Sequence, residues 1–198
     1  MSLRERKKAE TRQRIADVGT ALFVARGFDN VTVAEVADAA GVSKVTVFNY
    51  FPRKEDIFFD RVPEAKALLT DALRDRAPDE TPVAALRRLF VRLAVEHHPL
   101  GGFDTRYPTF WRTLLGSPAL RARAREAVDE VQDHLATLLT GADTPDPALT
   151  AALVVAAQRT AYTAGIARVL AGEDVDRVTA DHVQAVEHAF DVLATGLR

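Results

Sequence analysis

Four residues between Lys44 and Asn49 have side chains that can read the edges of DNA bases. Lysine can donate hydrogen bonds to guanine O6 and N7, the methyl groups of valine and threonine suit a thymine methyl, and asparagine can pair with adenine. Lys44, Val45, Thr46 and Asn49 lie close together, and Val47 between them fits an inward-facing position. If this segment is helical, its exposed amino-terminal end would enter the major groove.

The flanking residues predict the elements that would position this segment. Thr32 followed by Glu35 three residues later forms a capping box, which starts a short helix. Gly41 allows a tight turn, Ser43 can cap the next helix, and Pro52 cannot continue it. Two short helices joined by a glycine-containing turn are a helix-turn-helix.

The charge distribution divides the chain at about residue 54. Residues 1–54 contain ten Lys and Arg against six Asp and Glu, whereas residues 55–198 contain sixteen against twenty-two. A basic module on an acidic body suits a polyanion such as nucleic acid, although ordinary surface variation is the alternative. We therefore predict a DNA-binding domain over 1–54 and a second helical domain over 55–198.

The 198 residues predict an all-α fold of about nine helices, because apolar positions recur with helical spacing and alternating strand patterns are missing. Pro63 falls inside the predicted fourth helix and should kink or restart it. The absence of cysteine excludes disulfides and thiolate chemistry. No uncharged apolar stretch is long enough to predict a transmembrane helix, and no secretory signal precedes the basic start, so we expect a cytoplasmic protein.

The ordered residues of the first third are similar to those of one known family. They are Phe23, Gly27-Phe28, Thr32-Val33, Glu35-Val36-Ala37, Ala40-Gly41-Val42-Ser43, Phe48-Asn49-Tyr50-Phe51 and Lys54. From Gln13 to Phe58 the chain resembles the TetR family of transcription regulators. The resemblance implies three DNA-binding helices followed by a helical domain that binds an effector and dimerises.

The resemblance also implies roles for individual residues. Lys44, Val45 and Thr46 occupy base-reading positions, while Thr32 and Tyr50 resemble phosphate contacts. Lys54 resembles a second phosphate clamp after the recognition helix. The basic residues of the amino-terminal arm could reach the flanking backbone or the minor groove; they are Arg4, Arg6, Lys7 and Lys8.

Two positions depart from the family pattern. Phe48 replaces a frequent tyrosine and lacks its hydroxyl, and Asn49 replaces a common histidine and could contact adenine or a phosphate. Tyr50 could instead be a core aromatic, and Lys54 a solvated surface lysine. The predicted DNA-binding set is Thr32, Ser43, Lys44, Val45, Thr46, Phe48, Asn49, Tyr50 and Lys54.

Four aromatic residues fall at the spacing of one helical face, namely Phe103, Tyr107, Phe110 and Trp111. They could line a cavity for an apolar or aromatic ligand, or they could be plain core. The pocket interpretation depends on the resemblance, because the family binds small molecules among these helices. Arg112 could add a polar contact. The predicted ligand-binding set is Phe90, Leu93, His97, Phe103, Tyr107, Phe110, Trp111 and Tyr162.

The last two helices are predicted to associate with a second copy. The penultimate helix is rich in alanine, and the final helix carries a near-heptad apolar stripe. That stripe consists of Val183, Val186, Phe190, Leu193 and Leu197. Alternatively, both helices close the core of their own protomer. A symmetric dimer would bind a palindromic operator with half-sites about one helical turn apart.

The sequence offers little support for catalysis. His97 and His98 are adjacent and would point about 100° apart on a helix, so we expect no metal site there. Phosphate-binding loops, nucleophile elbows and zinc motifs are missing, and no cofactor is expected. The main hypothesis is a homodimeric repressor released by a small apolar or aromatic effector. The alternatives are a constitutive or architectural DNA-binding dimer and a small helical enzyme using His97, Tyr107 and Arg112.

Overall fold

The structure, a computed structural model, describes residues 2–142 and 144–196. Within these ranges the protein contains ten α-helices, one short 3₁₀-helix and no strand, which confirms the predicted all-α fold with one helix more than expected. The α-helices are α1 (Leu3–Arg26), α2 (Val33–Ala39), α3 (Lys44–Tyr50), α4 (Lys54–Phe58), α5 (Val62–Arg74), α6 (Pro82–Val95), α7 (Pro108–Gly116), α8 (Pro118–Thr140), α9 (Pro147–Leu170) and α10 (Val175–Gly196). The 3₁₀-helix spans Phe28–Asn30.

The additional helix arises at Pro63, where a kink or restart was predicted. α4 ends at Phe58, and α5 begins at Val62 with the proline in its first turn. Proline fits this place because the first backbone N–H groups of a helix have no intrahelical partner. The predicted fourth helix is therefore two helices.

By their contacts, the residues group into two compact units. The first comprises residues 1–60 and 109–125, and the second comprises residues 61–108 and 126–198. The first unit thus includes residues 55–60 and 109–125, which our division at residue 54 assigned to the second domain. It stays a prediction that residues 1–54 bind DNA and that residues 55–198 bind an effector and dimerise.

The core of the first unit joins the helix-turn-helix to α7 and the beginning of α8. Ile15, Phe23, Val36 and Val47 are buried together with Leu120 of α8. Phe58 and Phe110 stack with their ring centroids 4.3 Å apart and their planes at 11°. The helices of the helix-turn-helix therefore share one apolar core with a segment more than fifty residues later in the chain.

The second unit is a bundle in which α10 packs on α6 and α9, and α5 packs on α6. Its core includes Val186, Phe190 and Leu193 of α10. These three belong to the stripe predicted to mediate association, and they face the core of their own protomer instead. Val183 is only partly buried, and Leu197 lies outside the described residues.

Candidate nucleic-acid interface

The caps predicted for the helix-turn-helix are formed. The Thr32 hydroxyl accepts a hydrogen bond from the Glu35 backbone N–H at 3.2 Å. The Thr32 backbone N–H donates a hydrogen bond to the Glu35 carboxylate at 2.8 Å. Arg26 donates to the same carboxylate at 2.7 Å. Because the Thr32 N–H and then Arg26 stabilise the charged form, the pKa of Glu35 falls to about 2. α2 therefore begins at a well-defined residue.

The turn and the cap of α3 hold this helix at a fixed angle. Gly41 has φ of 65°, the left-handed region that glycine occupies without strain. The Ser43 hydroxyl oxygen accepts from the Thr46 backbone N–H at 3.0 Å, and its separation from the Thr46 hydroxyl is 2.8 Å. Arg14 of α1 donates to the Ala40 carbonyl at 3.1 Å. The start of α3 is thus fixed on both sides of the turn.

The outer face of α3 exposes the side chains expected to read bases. Val45 is 69% exposed and Phe48 is 44% exposed. Lys44 and Asn49 are exposed beside them, whereas Val47 is fully buried. A surface with two solvated apolar side chains next to a lysine and an asparagine has the chemistry of major-groove readout.

Two of the predicted phosphate contacts have structural roles in this fold. Lys54 Nζ donates to the Phe28 carbonyl at 2.5 Å and lies 4.0 Å from the Phe28 ring centroid. Burial lowers the pKa of Lys54. Tyr50 is half-buried and packs against the core of the first unit. Lys54 therefore anchors the start of α4 to the 3₁₀-helix, and its amine would have to leave these contacts to reach a phosphate.

The amino-terminal arm is an exposed helical extension. Arg4, Arg6, Lys7 and Lys8 are exposed on the first two turns of α1. The Ser2 hydroxyl caps this helix by accepting from the Glu5 backbone N–H at 3.2 Å. These four cationic side chains face solvent, and Arg6 Nε also lies 3.5 Å from Glu10 Oε1.

Sequence reasoning missed a polar contact in the first unit. Arg123 Nε lies 2.8 Å from Asp56 Oδ1, and the two side chains are only 8% and 19% exposed. Ser117 donates to Asp29 at 3.3 Å in the same unit. Neither pair is close in sequence, so no local pattern could have identified them.

The four predicted cavity aromatics do not share a helical face. α7 begins at Pro108, so Phe103 and Tyr107 lie in the loop that precedes it. The residue before a proline avoids helical conformation, and Asp104 accepts from the Arg106 backbone N–H at 2.8 Å in a local turn. Phe110 belongs to the first unit, where it stacks on Phe58.

The remaining residues of the predicted ligand-binding set are also divided between the first and the second unit. Trp111 packs on the core of the first unit. In the second unit, Leu93 is buried and Phe90 lies 5.9 Å from Phe190 between ring centroids. Phe103 and Tyr162 do come together, with ring centroids 5.2 Å apart.

The loop after α6 adjoins an open groove in the second unit. The groove has a volume of about 460 Å³ and is lined by Val95, His97 and five residues of α10 between Asp176 and Gln184. His97 Nδ1 lies 2.7 Å from the Phe103 carbonyl oxygen, and His98 Nε2 lies 3.3 Å from a Glu64 oxygen. Across residues 2–142 and 144–196, no cluster of three or more metal-ligating side chains occurs. In the same described part, no helix is long and apolar enough to cross a membrane.

One family model and several known proteins are similar to parts of this chain. Residues 15–60 match the family model described as bacterial regulatory proteins, tetR family. The HTH-type transcriptional regulator TcmR of Streptomyces glaucescens is 27% identical over 147 residues, which cover 73% of this chain and 65% of TcmR. The chain therefore spans just under two thirds of that relative.

A second relative and one solved structure extend the comparison. The nucleoid occlusion factor SlmA of Pasteurella multocida is 25% identical over 136 residues, covering 68% of each chain. The crystal structure of NalD, the secondary repressor of the MexAB-OprM multidrug efflux pump in Pseudomonas aeruginosa, superposes with a TM-score of 0.60. It covers 94% of this chain and 96% of NalD at 17% identity, so this likeness shows the fold alone.

Proposed function

The chain belongs to the TetR family of bacterial regulatory proteins, and we propose from this membership that it represses transcription by binding a palindromic operator as a homodimer. The observation that carries the proposal is the outer face of α3. It exposes Val45 and Phe48 beside Lys44 and Asn49. Solvated apolar side chains beside polar ones on a rigid, capped helix mark an interaction surface.

The proposed contacts to DNA follow from the exposed positions. Lys44, Val45 and Phe48 would contact bases, while Thr32 and Tyr50 would contact phosphates and fix the register. Thr46 and Ser43 hold the helix start through their hydroxyl contact and would also lie near the DNA. Asn49 could contact adenine or a phosphate. Lys54 would contribute mainly by holding α4.

The proposed dimer forms through the outer faces of α9 and α10. Leu149 of α9 is 49% exposed and Val192 of α10 is 59% exposed. Ala156 and Ala185 are also exposed on these helices and would permit close helix contact. A two-fold axis between two such surfaces would give a palindromic site, with half-sites about one helical turn apart.

We propose that a small apolar or aromatic effector binds the second unit and releases the DNA. The support is the group of aromatic side chains around Phe103, together with the effector dependence that is typical of the family. An effector acts only through its different affinities for the two states of the protein, and the usual coupling is about 1–3 kcal/mol. We place this activity in the cytoplasm, because a regulator of this kind acts on chromosomal DNA.

Among the three functions considered, the enzymatic alternative has the least support. The residues of the enzymatic alternative belong to different units, since His97 and Tyr107 lie in the second unit and Arg112 in the first. His97 already contacts the Phe103 carbonyl. The relatives reported above carry the names of regulators or DNA-associated factors, and we propose no reaction for this chain.

Fluorescence anisotropy with DNA from immediately upstream of the gene, at two salt concentrations, tests the DNA-binding proposal. We expect at least about a hundredfold preference over unrelated DNA and a steep loss of affinity with salt. Lys44→Ala should weaken operator binding about tenfold, because one base contact is worth about 1–3 kcal/mol. Arg92→Ala, which changes an exposed residue of α6, is the control. Equal operator affinity of Lys44→Ala and wild type would contradict the assignment.

A constitutive DNA-binding dimer is the second candidate. It is favoured by the full burial of Phe103 in the region where an effector cavity was predicted. One relative carries the name nucleoid occlusion factor, which is not the name of an effector-controlled transcription regulator. Operator binding that no compound in a broad aromatic and apolar screen reverses would select this candidate.

A further inference from the structure

The ring of Phe103 occupies an unusual place for a loop residue. Phe103 is 2% exposed although it lies between α6 and α7. Its ring stacks on Tyr162 at 5.2 Å and 30° and meets the imidazole of His182 edge-on at 5.0 Å and 80°. These neighbours carry polar groups, unlike the aliphatic residues that fill most of the second unit. We call the space that this ring occupies, between Tyr162, Gly165 and His182, the aromatic slot.

Gly165 makes the aromatic slot possible. A Cβ atom at this position of α9 would overlap the tip of the Phe103 ring and would lie 2.9 Å from Cε1 and Cε2. Real Cβ atoms do not approach other carbons so closely, and tightly packed interiors resist added volume. The slot is therefore the size of one six-membered ring and is closed at its end by backbone.

Polar contacts hold the loop over the aromatic slot. His97 Nδ1 lies 2.7 Å from the Phe103 carbonyl oxygen, and the Tyr162 hydroxyl donates to the Gly102 carbonyl at 3.2 Å and reaches the Pro99 carbonyl at 3.4 Å. His97 has φ of 50°, which non-glycine residues rarely adopt. A strained residue therefore stands at the point where the loop leaves α6.

Two buried polar side chains of α10 lack good hydrogen bonds, and one of them, His182, borders the slot. Neither ring nitrogen of His182 makes a hydrogen bond of good geometry, although the imidazole is 3% exposed and the backbone at Gly101 and Ala161 lies nearby. The Thr179 hydroxyl, in a residue only 8% exposed, also has no partner. Buried polar groups normally form hydrogen bonds, so these two side chains point to a function that the packing alone does not explain.

The open groove described above adjoins the loop that carries Phe103. Thr179 and Val183 of α10 line the groove, whereas His182 does not line it and borders the slot instead. His97 belongs both to the groove wall and to the contact with the Phe103 carbonyl. Displacement of this one loop would therefore join the groove to the slot.

We propose that the aromatic slot is a binding site for a single-ring aromatic molecule bearing a hydroxyl group, which enters from the groove and replaces the Phe103 ring. This inference rests on the proposed effector function and specifies its ligand and its intramolecular competitor. The ligand ring would stack on Tyr162 and end against Gly165, where only a single flat ring fits. Its hydroxyl would bond to the His182 imidazole, which Phe103 cannot do. Binding and loop closure are then mutually exclusive.

The test measures the dissociation constant of phenol by ligand-observed NMR, with toluene as the apolar control, using the full chain without DNA. Phe103→Ala removes the competitor. If the slot is empty in about a tenth or fewer of wild-type molecules, the variant should bind phenol about tenfold tighter or more. Phe103→Leu retains more of the packing and should increase the phenol affinity by a smaller factor. This variant replaces Phe103→Ala in the test if the alanine variant does not fold.

Two further variants separate this proposal from nonspecific cavity binding. Phe190→Leu shortens another buried aromatic of the same unit and should leave the phenol affinity unchanged. His182→Leu in the Phe103→Leu background should weaken phenol binding and leave toluene binding unchanged. Equal phenol affinity in wild type and both Phe103 variants, an equal gain in Phe190→Leu, or loss of phenol and toluene together would each overturn the proposal.

The operator titration remains a separate measurement, so the two proposals fail separately. Phenol binding that follows the expected pattern without any effect on DNA affinity would keep the slot and refute its role as the effector site. A failure to bind any upstream DNA would refute the regulator proposal and would not change the NMR result.

Discussion

Removing the buried ion pair between Arg123 and Asp56 should selectively destabilise the DNA-binding unit. The two side chains are 8% and 19% exposed, and Nε lies 2.8 Å from Oδ1. Removing one partner of a buried pair costs about 3–5 kcal/mol, because a charge is left without compensation. Asp56 is partly solvated and retains two contacts to Arg53, namely the backbone N–H at 3.1 Å and a guanidinium nitrogen 3.7 Å from Oδ1. We therefore expect Arg123→Met to cost about 2–3 kcal/mol.

The protein carries its own probe for this measurement. Trp111 is the single tryptophan of the chain and packs on the core of the first unit. Its fluorescence during urea unfolding therefore reports on that unit. With a denaturant slope of about 2 kcal/mol per molar, the expected loss lowers the unfolding midpoint by about 1 M.

A control and a double variant make this prediction refutable. Arg26 and Glu35 form a pair of similar length in the same unit, at 2.7 Å, but their side chains are 48% and 38% exposed. Arg26→Met should therefore shift the midpoint far less than Arg123→Met. Asp56→Asn combined with Arg123→Met should recover part of the loss, because the carboxylate that has lost its Arg123 partner is then neutral. Equal shifts in the two arginine variants, or an additive double variant, would refute the reasoning.

Three further perturbations have expected outcomes. Lys54→Met should lower the free energy of unfolding of the first unit by about 1 kcal/mol and leave the salt dependence of DNA binding unchanged. If the slope of log affinity against log salt concentration instead fell by about one, Lys54 would be identified as a phosphate contact. Gly19→Ala should destabilise the first unit by about 1–3 kcal/mol, because its Cβ would lie 2.5 Å from an Ile57 methyl carbon, whereas Gly116→Ala meets no atom within 4 Å and should be tolerated. Burial lowers the pKa of His182 below its ordinary value of 6.5, so the unfolded chain binds the proton more readily and stability should fall as the pH drops below about 6.5. His182→Gln should weaken that pH dependence of the melting temperature and the exposed His188→Gln should not, and equal slopes in both variants would exclude His182 as its source.

The helix-turn-helix was predictable because its determinants are local. The capping residues Thr32 and Ser43 and the turn residue Gly41 act within four positions of themselves. Burial of Val47 and exposure of Val45 then follow from helical geometry alone. Local signals of this kind need no knowledge of the rest of the chain.

The prediction of one aromatic helical face is wrong, because the helical spacing was counted across the residue at which α7 begins. Phe103 and Tyr107 precede Pro108, and spacing by itself does not reveal that the helix begins there. The Pro108 signal was present in the sequence, since a proline favours the first turn of a helix and restricts the residue before it. The partners of Phe103 were not predictable, because Gly165 and His182 are brought to it only by tertiary packing.

The sequence between the two sites limits how an effector could act on DNA. Phe103 belongs to the second unit and Phe110 to the first, and only six residues separate them in the chain. Six residues span at most about 20 Å when fully extended, and Pro108 already starts α7 at the end of this connection. A ligand that expels Phe103 releases the contacts of His97 and Tyr162 at one end of the connection. The stack of Phe110 on Phe58 resists movement at the other end. The coupling free energy transmitted through this connection would then be limited by the weaker of these two attachments. Loosening Phe110 should therefore reduce the effect of a ligand on DNA affinity without changing its affinity for the slot in the absence of DNA.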